Sequence, residues 1–96
     1  MISLENKKTI EFLCKKNTFI FNKLKTIEEC GELITALSQT FTKDAKPNEE
    51  QIIDEIGDVY IRLEILSDIY SRELVQKRIT EKLHDLLVKY EKYTNV

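Results

Sequence analysis

The scarcity of chain breakers constrains this sequence more than any other feature: 96 residues hold one proline and two glycines. Leu, Ile, Glu and Lys abound, so the chain predicts an all-α fold, a bundle of about four helices forming one domain over residues 1–96. A first helix is expected over Leu4 to Lys16, with Ile10, Leu13 and Cys14 on its apolar side. Asn17-Thr18 is the expected break, Asn17 taking a left-handed cap and Thr18 starting the next helix. The second helix, Thr18 to Thr42, carries Ile20, Leu24, Ile27, Ile34, Leu37 and Phe41 at helical spacing, which predicts its buried face. Residues 42–48 read as a loop, with Asn48 capping a third helix over Glu49 to Ile69.

The third helix is apolar nearly all round. Ile52, Ile56, Val59, Tyr60, Leu63 and Leu66 make one face, and Ile61, Ile65 and Ile69 make another. Such a helix is expected at the centre of a fold. Asp58 falls in line with Ile61 and Ile65, and is therefore expected among buried side chains. Ser71 is the expected cap of a fourth helix, Arg72 to Tyr93, whose stripe is Val75, Ile79, Leu83, Leu86, Tyr90 and Tyr93. A domain of this size buries only about two thirds of its unfolded surface. Long helices in so short a chain would gain by pairing with a second copy.

Both glycines sit in one doubled motif. Glu28-Glu29-Cys30-Gly31-Glu32-Leu33 returns as Asp54-Glu55-Ile56-Gly57-Asp58-Val59. Each copy sets two carboxylates three residues apart, about 60° around and about 4.5 Å along a helix, so each aims an acidic pair in one direction. Two such helices face to face would gather four carboxylates, which repel one another unless a cation sits among them. Hard divalent ions such as Mg²⁺ suit all-oxygen sites of this kind. A glycine inside a helix costs roughly 1 kcal/mol against alanine, so the pair points to close backbone approach or room for a ligand. The competing reading of either motif alone is a solvated acidic face; the recurrence on a central helix favours the metal site.

Charge and cysteine usage exclude other classes. Residues 1 to 25 hold six Lys against two Glu, and residues 26 to 58 hold nine acids against two Lys, within a net charge of −2. A basic stripe of the kind nucleic acid requires is missing, so no nucleic-acid partner is expected. No stretch of 18 apolar residues exists to span a bilayer. No membrane partner is expected, and a soluble cytoplasmic protein is the default. Cys14 and Cys30 read as small buried hydrophobes rather than a metal clip.

The block Glu-Glu-x-Gly-Glu-Leu, followed 22 residues after Glu32 by the start of Asp-Glu-x-Gly-Asp-Val, resembles the MazG-like branch of the all-α nucleoside triphosphate pyrophosphohydrolases. The likeness spans roughly Leu24 to Leu66. It implies an enzyme that cleaves a nucleoside triphosphate, often a deoxynucleotide, to the monophosphate and pyrophosphate in nucleotide-pool house-cleaning. It also implies Mg²⁺ as cofactor, with Mn²⁺ as a substitute, and a homodimer or homotetramer as the working assembly. Carried over by position, Glu29, Glu32, Glu55 and Asp58 are the implied metal ligands. Glu28, one turn before Glu32, is the candidate to orient or deprotonate the attacking water, a structural role being the alternative. Arg62 can meet a phosphate or pair with Glu55. Arg78 and Lys82 form a basic pair on the fourth helix, open to substrate phosphates or simply to solvent. His84 is expected to be exposed. Phe19, Phe21 and Tyr60 can stack on a base or belong to the core; with no tryptophan in the chain, no other residue type offers a base clamp. A narrower dUTP or phosphoribosyl-ATP pyrophosphohydrolase, and a non-catalytic helical module for nucleotide sensing or interaction, are the alternative functions.

Overall fold

The computed structural model of the chain describes residues 3–42, 44 and 46–94, without the side chains of 92–94. Four helices follow in order: α1 Leu4–Lys16, α2 Phe19–Gln39, α3 Glu49–Tyr70 and α4 Arg72–Thr94. No strand occurs among the described residues, so the fold is all-α as its breaker-poor sequence predicts. Lys43 and Ala45 of the predicted loop, and the Tyr93 side chain, lie outside the described residues.

Local chemistry sets the helix ends. Ser3 caps α1 by accepting from the Asn6 amide at 3.1 Å, and Thr18 caps α2 by accepting from Phe21 at 3.1 Å. Each satisfies one amide that has no partner within its helix. Asn17 does not adopt the expected left-handed cap; its backbone is extended at φ −110°, and no non-glycine residue among those described has positive φ. The helix stops because the chain straightens into the next cap. Asn48 departs from expectation too: its side chain makes no capping bond to α3. Its Nδ2 instead donates to the Ala36 carbonyl at 3.0 Å and so ties the start of α3 to the last turns of α2.

That tie makes α2 and α3 an antiparallel pair. At the other end Phe19, opening α2, packs its ring 5.5 Å from that of Tyr70, closing α3. The α2–α3 contact is the most extensive in the chain; α1 packs on α3, and α4 touches α3 more sparsely. The third helix is therefore central, as its all-round apolar character predicts. Ser71 alone separates α3 from α4, its backbone extended and its Oγ accepting from the Leu74 amide at 3.2 Å. Arg72 locks the joint. It donates to Glu64 and, at 2.7 Å, to Asp68; these carboxylates, Asp68 foremost, raise its pKa further above the ordinary guanidinium value.

The faces are where the sequence misleads. The predicted buried stripe of α2 points outward: Ile20, Leu24, Ile27, Ile34, Leu37 and Phe41 are all exposed. Its inward side carries Asn22, Thr26, Glu29, Leu33 and Ala36 at spacings of three and four, a largely polar and small set. Ile10, Ala36 and Ile65 are the buried apolar residues among those described. Asp58 is exposed, not sequestered with Ile61 and Ile65. Of those neighbours Ile65 alone is fully buried, while Ile61 is exposed. The α3 surface holding Asp58 follows the open edge of the α2–α3 seam rather than its floor.

Candidate metal centre

The polar inward side of α2 meets the motif of α3 midway along the antiparallel pair. Oxygens of Glu29, Glu32, Glu55 and Asp58, one from each carboxylate, all lie within 4.8 Å of one another. Glu29 and Glu55 are half-buried at the floor, and Glu32 and Asp58 are exposed at the rim. Spacing of three on each helix makes this possible: each motif supplies one floor acid and one rim acid.

Electrostatics at the floor are strained. The Glu29 carboxyl is pushed above its ordinary value of 4.5, first by burial, then by a hydrogen bond with Glu32, then by the charges of Glu32 and Asp58. Lys25 opposes the shift, its Nζ standing 3.9 Å from Glu29 and 3.2 Å from Glu28. One ammonium shared with Glu28 cannot balance four carboxylates. One carboxylate oxygen of Glu29 and one of Glu55 are buried without a partner. A carboxylate oxygen out of water and without a donor is costly unless protonated or bound to a cation. The donor set, four carboxylates of which Glu29 and Glu55 each carry a buried oxygen without a partner, fits a hard divalent cation that takes only oxygen ligands.

Two more unpartnered polar groups lie on the same seam. Arg62 follows Glu55 by seven residues on the same stripe of α3, half-buried, with Nη1 buried and lacking a partner. Asn22 precedes Glu29 by seven residues on α2. It is 0% exposed, and neither carboxamide atom has a partner. Because the helices are antiparallel and Glu29 meets Glu55, Asn22 and Arg62 fall at the same level, about 10 Å along the seam from the acids.

Other sequence candidates stand apart from the cluster. Glu28 lies outside the four-acid group, exposed and bonded to Lys25. Arg78 and Lys82 are exposed on α4, and Arg78 pairs with Glu81 at 3.4 Å. His84 is exposed, as expected. Phe19, Phe21 and Tyr60 are exposed and do not form the core; Phe19 packs on Tyr70, with the Lys23 ammonium 4.3 Å above its ring. Cys14 and Cys30 are free thiols, half-buried. Lys25 and Asn22 were not among the sequence candidates. The i, i+3 and i, i+4 spacing to Glu28 and Glu29 signals Lys25, whereas nothing in the sequence marks a buried Asn22.

Against family models, curated proteins and solved structures, the chain matches none.

Proposed function

We propose that the chain is a Mg²⁺-dependent nucleoside triphosphate pyrophosphohydrolase, acting on a nucleotide pool and working as an assembly of identical copies. The observation that supports this most is the convergence of Glu29, Glu32, Glu55 and Asp58 from two helices within 4.8 Å, with a buried, unpartnered oxygen on both Glu29 and Glu55. The resemblance of the doubled motif supplies the reaction, and the carboxylate set suits the ion that reaction uses.

In the proposed reaction water adds to the scissile phosphoryl group, the α–β anhydride bond breaks, and the monophosphate and pyrophosphate depart. When bound among the four acids, Mg²⁺ supplies charge neutralisation and Lewis-acid polarisation of the phosphoryl oxygens. Glu28, exposed beside the cluster, accepts the proton that the water releases. Lys25 Nζ, 3.2 Å from the Glu28 carboxylate, orients that side chain. Arg62 offers the unpartnered Nη1 to a phosphate oxygen. Arg78 and Lys82, on α4, would reach a phosphate only in a neighbouring copy or after α4 moves.

The test is product analysis over a panel of dNTPs and NTPs with Mg²⁺ or Mn²⁺. Pyrophosphate with the matching monophosphate is expected, lost in Asp58→Asn and Glu55→Gln while the helical circular dichroism stays. Orthophosphate release, or full activity in both variants, contradicts the proposal. A single accepted nucleotide would narrow it to a dUTP-type or phosphoribosyl-ATP-type enzyme, and nucleotide binding by calorimetry without turnover would leave a sensing module.

A further inference from the structure

The seam between α2 and α3 holds polar groups that the four acids do not use. Asn22 is 0% exposed, and neither its Oδ1 nor its Nδ2 has a partner. Buried carboxamides are ordinarily hydrogen-bonded, because an unpaired donor or acceptor bears the full cost of leaving water. Leucine would fill a similar space without that cost, so Asn22 burdens the fold unless something outside the chain meets it. Thr26, one turn on, does not relieve it: its hydroxyl donates to the Asn22 backbone carbonyl at 2.7 Å and leaves the side chain alone. Arg62 adds a third unpaired atom at the same level, its Nη1 buried and without a partner.

These three atoms define what would satisfy them. Asn22 presents an acceptor beside a donor in one planar amide, and Arg62 contributes a further donor. A ligand edge with two acceptors and one donor completes the set. A metal cation does not, since Nδ2 and Nη1 would face it with their hydrogens. A bare phosphate does not either, since it leaves Oδ1 without a donor. The hydrogen-bonding edge of a pyrimidine base has the required composition. Cytosine offers O2 and N3 as acceptors with its N4 amine as donor, and uracil or thymine offers O2 and O4 with N3–H between them. The corresponding edge of guanine is the reverse, one acceptor and two donors, and would set N–H against Nη1. Adenine offers one of each there and leaves Nη1 unpaired.

We infer that Asn22 and Arg62 read the base of a pyrimidine nucleotide, the Asn22 carboxamide pairing with the ring edge at its donor and the adjacent acceptor while Arg62 Nη1 donates to the O2 carbonyl. The inference rests on the proposed function in taking a nucleotide as the ligand, and adds which class of base this chain selects. Spacing agrees with it. Asn22 and Arg62 lie about 10 Å along the seam from the acids, comparable with the reach from an α-phosphate across the sugar to the far edge of its base. Nη1 carries two hydrogens, so one group serves both the base carbonyl and a phosphate oxygen. The closed seam also favours the smaller ring system. With Asn22 at 0% exposure, a ligand enters only as neighbouring side chains part, and one ring needs less parting than two.

Calorimetric titration with the α,β-imido analogues of dCTP, dUTP, dATP and dGTP in Mg²⁺ measures base selection apart from hydrolysis. Wild type is expected to bind a pyrimidine analogue roughly 10- to 100-fold more tightly than either purine analogue, the penalty of leaving a buried polar group unpaired. Asn22→Leu is expected to lose that preference while its purine affinity stays near the wild-type value. Arg62→Met is expected to narrow the preference and to weaken all four analogues through the lost phosphate contact. Damage to the fold would lower the four affinities together and keep their ratios, so the ratio reports contact with the base. A wild type without pyrimidine preference, or a preference that survives in Asn22→Leu, overturns the inference and leaves the proposed reaction standing. A preference abolished in Asn22→Leu without turnover of the natural nucleotides upholds base reading and overturns the reaction alone. Failure of every analogue to bind overturns both.

Discussion

Replacing Asp58 by asparagine should make the metal-free protein more stable and the Mg²⁺-loaded protein less so. In the absence of metal, four carboxylate oxygens lie within 4.8 Å of one another. At that distance two unit charges repel by about 0.9 kcal/mol in the dielectric of water and about 3.5 kcal/mol at an effective dielectric of 20. Asp58 takes part in three such pairs and is exposed, so the water-like end applies and salt screens part of it. The amide is nearly isosteric, leaving roughly 1–2.5 kcal/mol of relief, or a rise of about 5–15 °C in midpoint for a domain of this size. Saturating Mg²⁺ works the other way. A ligand at a hundred times its dissociation constant stabilises the native state by about 2.7 kcal/mol, and the variant forfeits most of that. Thermal unfolding at fixed protein concentration, in EDTA and in millimolar Mg²⁺, should therefore show the two curves exchanging order. An Asp58→Asn midpoint at or below wild type in EDTA would refute the repulsion argument, and an equal Mg²⁺-induced shift in both proteins would refute the role of Asp58 as a ligand.

The raised pKa of Glu29 gives the metal-free protein a pH dependence of definite sign. Between its ordinary value of 4.5 and the raised native value, the native state holds a proton that the unfolded chain has lost, so stability falls as pH rises from 4.5 through the native value and is recovered as pH drops back toward 4.5; denaturant titrations should show this in wild type and a flatter profile in Glu29→Gln, and a slope of opposite sign would exclude it. Mg²⁺ binding should weaken over the same range, because ligation requires the deprotonated acid. Asn22→Leu removes two buried, unpartnered polar atoms and should stabilise the fold by about 1–3 kcal/mol in urea unfolding; destabilisation would reveal a partner for the carboxamide. At Gly31 and Gly57 an added Cβ meets nothing within 4 Å, so each alanine should add roughly 0.5–1 kcal/mol through helix propensity. A loss at Gly31 together with weaker self-association would place that glycine in a contact between copies.

The helix bounds were legible because they rest on local chemistry. Ser3, Thr18 and Ser71 accept backbone amides three residues on, and such bonds depend on nothing distant in sequence. The acidic site was legible for a related reason: spacing of three on a helix fixes a direction, and two copies imply a meeting. The inward face of α2 was not legible. Periodicity shows that Ile20, Leu24, Ile27 and Ile34 share a face, and custom assigns that face to the chain's own core. In this fold the opposite side of α2 packs on α3, and that packing brings Glu29 to Glu55. The same substitution of purpose misplaced Asp58, which follows the rim of the seam and not the isoleucines above and below it. Of the two expectations for the glycines, close backbone approach or room for a ligand, the first is not met within the chain, since a Cβ at either would meet nothing within 4 Å.

These departures share one physical origin. A seam given to Asn22, Glu29, Glu55 and Arg62 cannot also be a hydrophobic core, and a 96-residue chain has no second interior to offer. Apolar residues displaced from the seam must be buried elsewhere or remain a liability, and they now line the outer face of α2, the α3–α4 groove and the stripe of α4. The proposed site and the proposed assembly are thus linked through packing, although neither needs the other's chemistry. Filling the seam with leucine would erase the proposed cation site and give the chain an apolar interior of its own. If the proposed assembly covers those apolar surfaces, stability should depend on protein concentration even where the four-acid cluster is untouched.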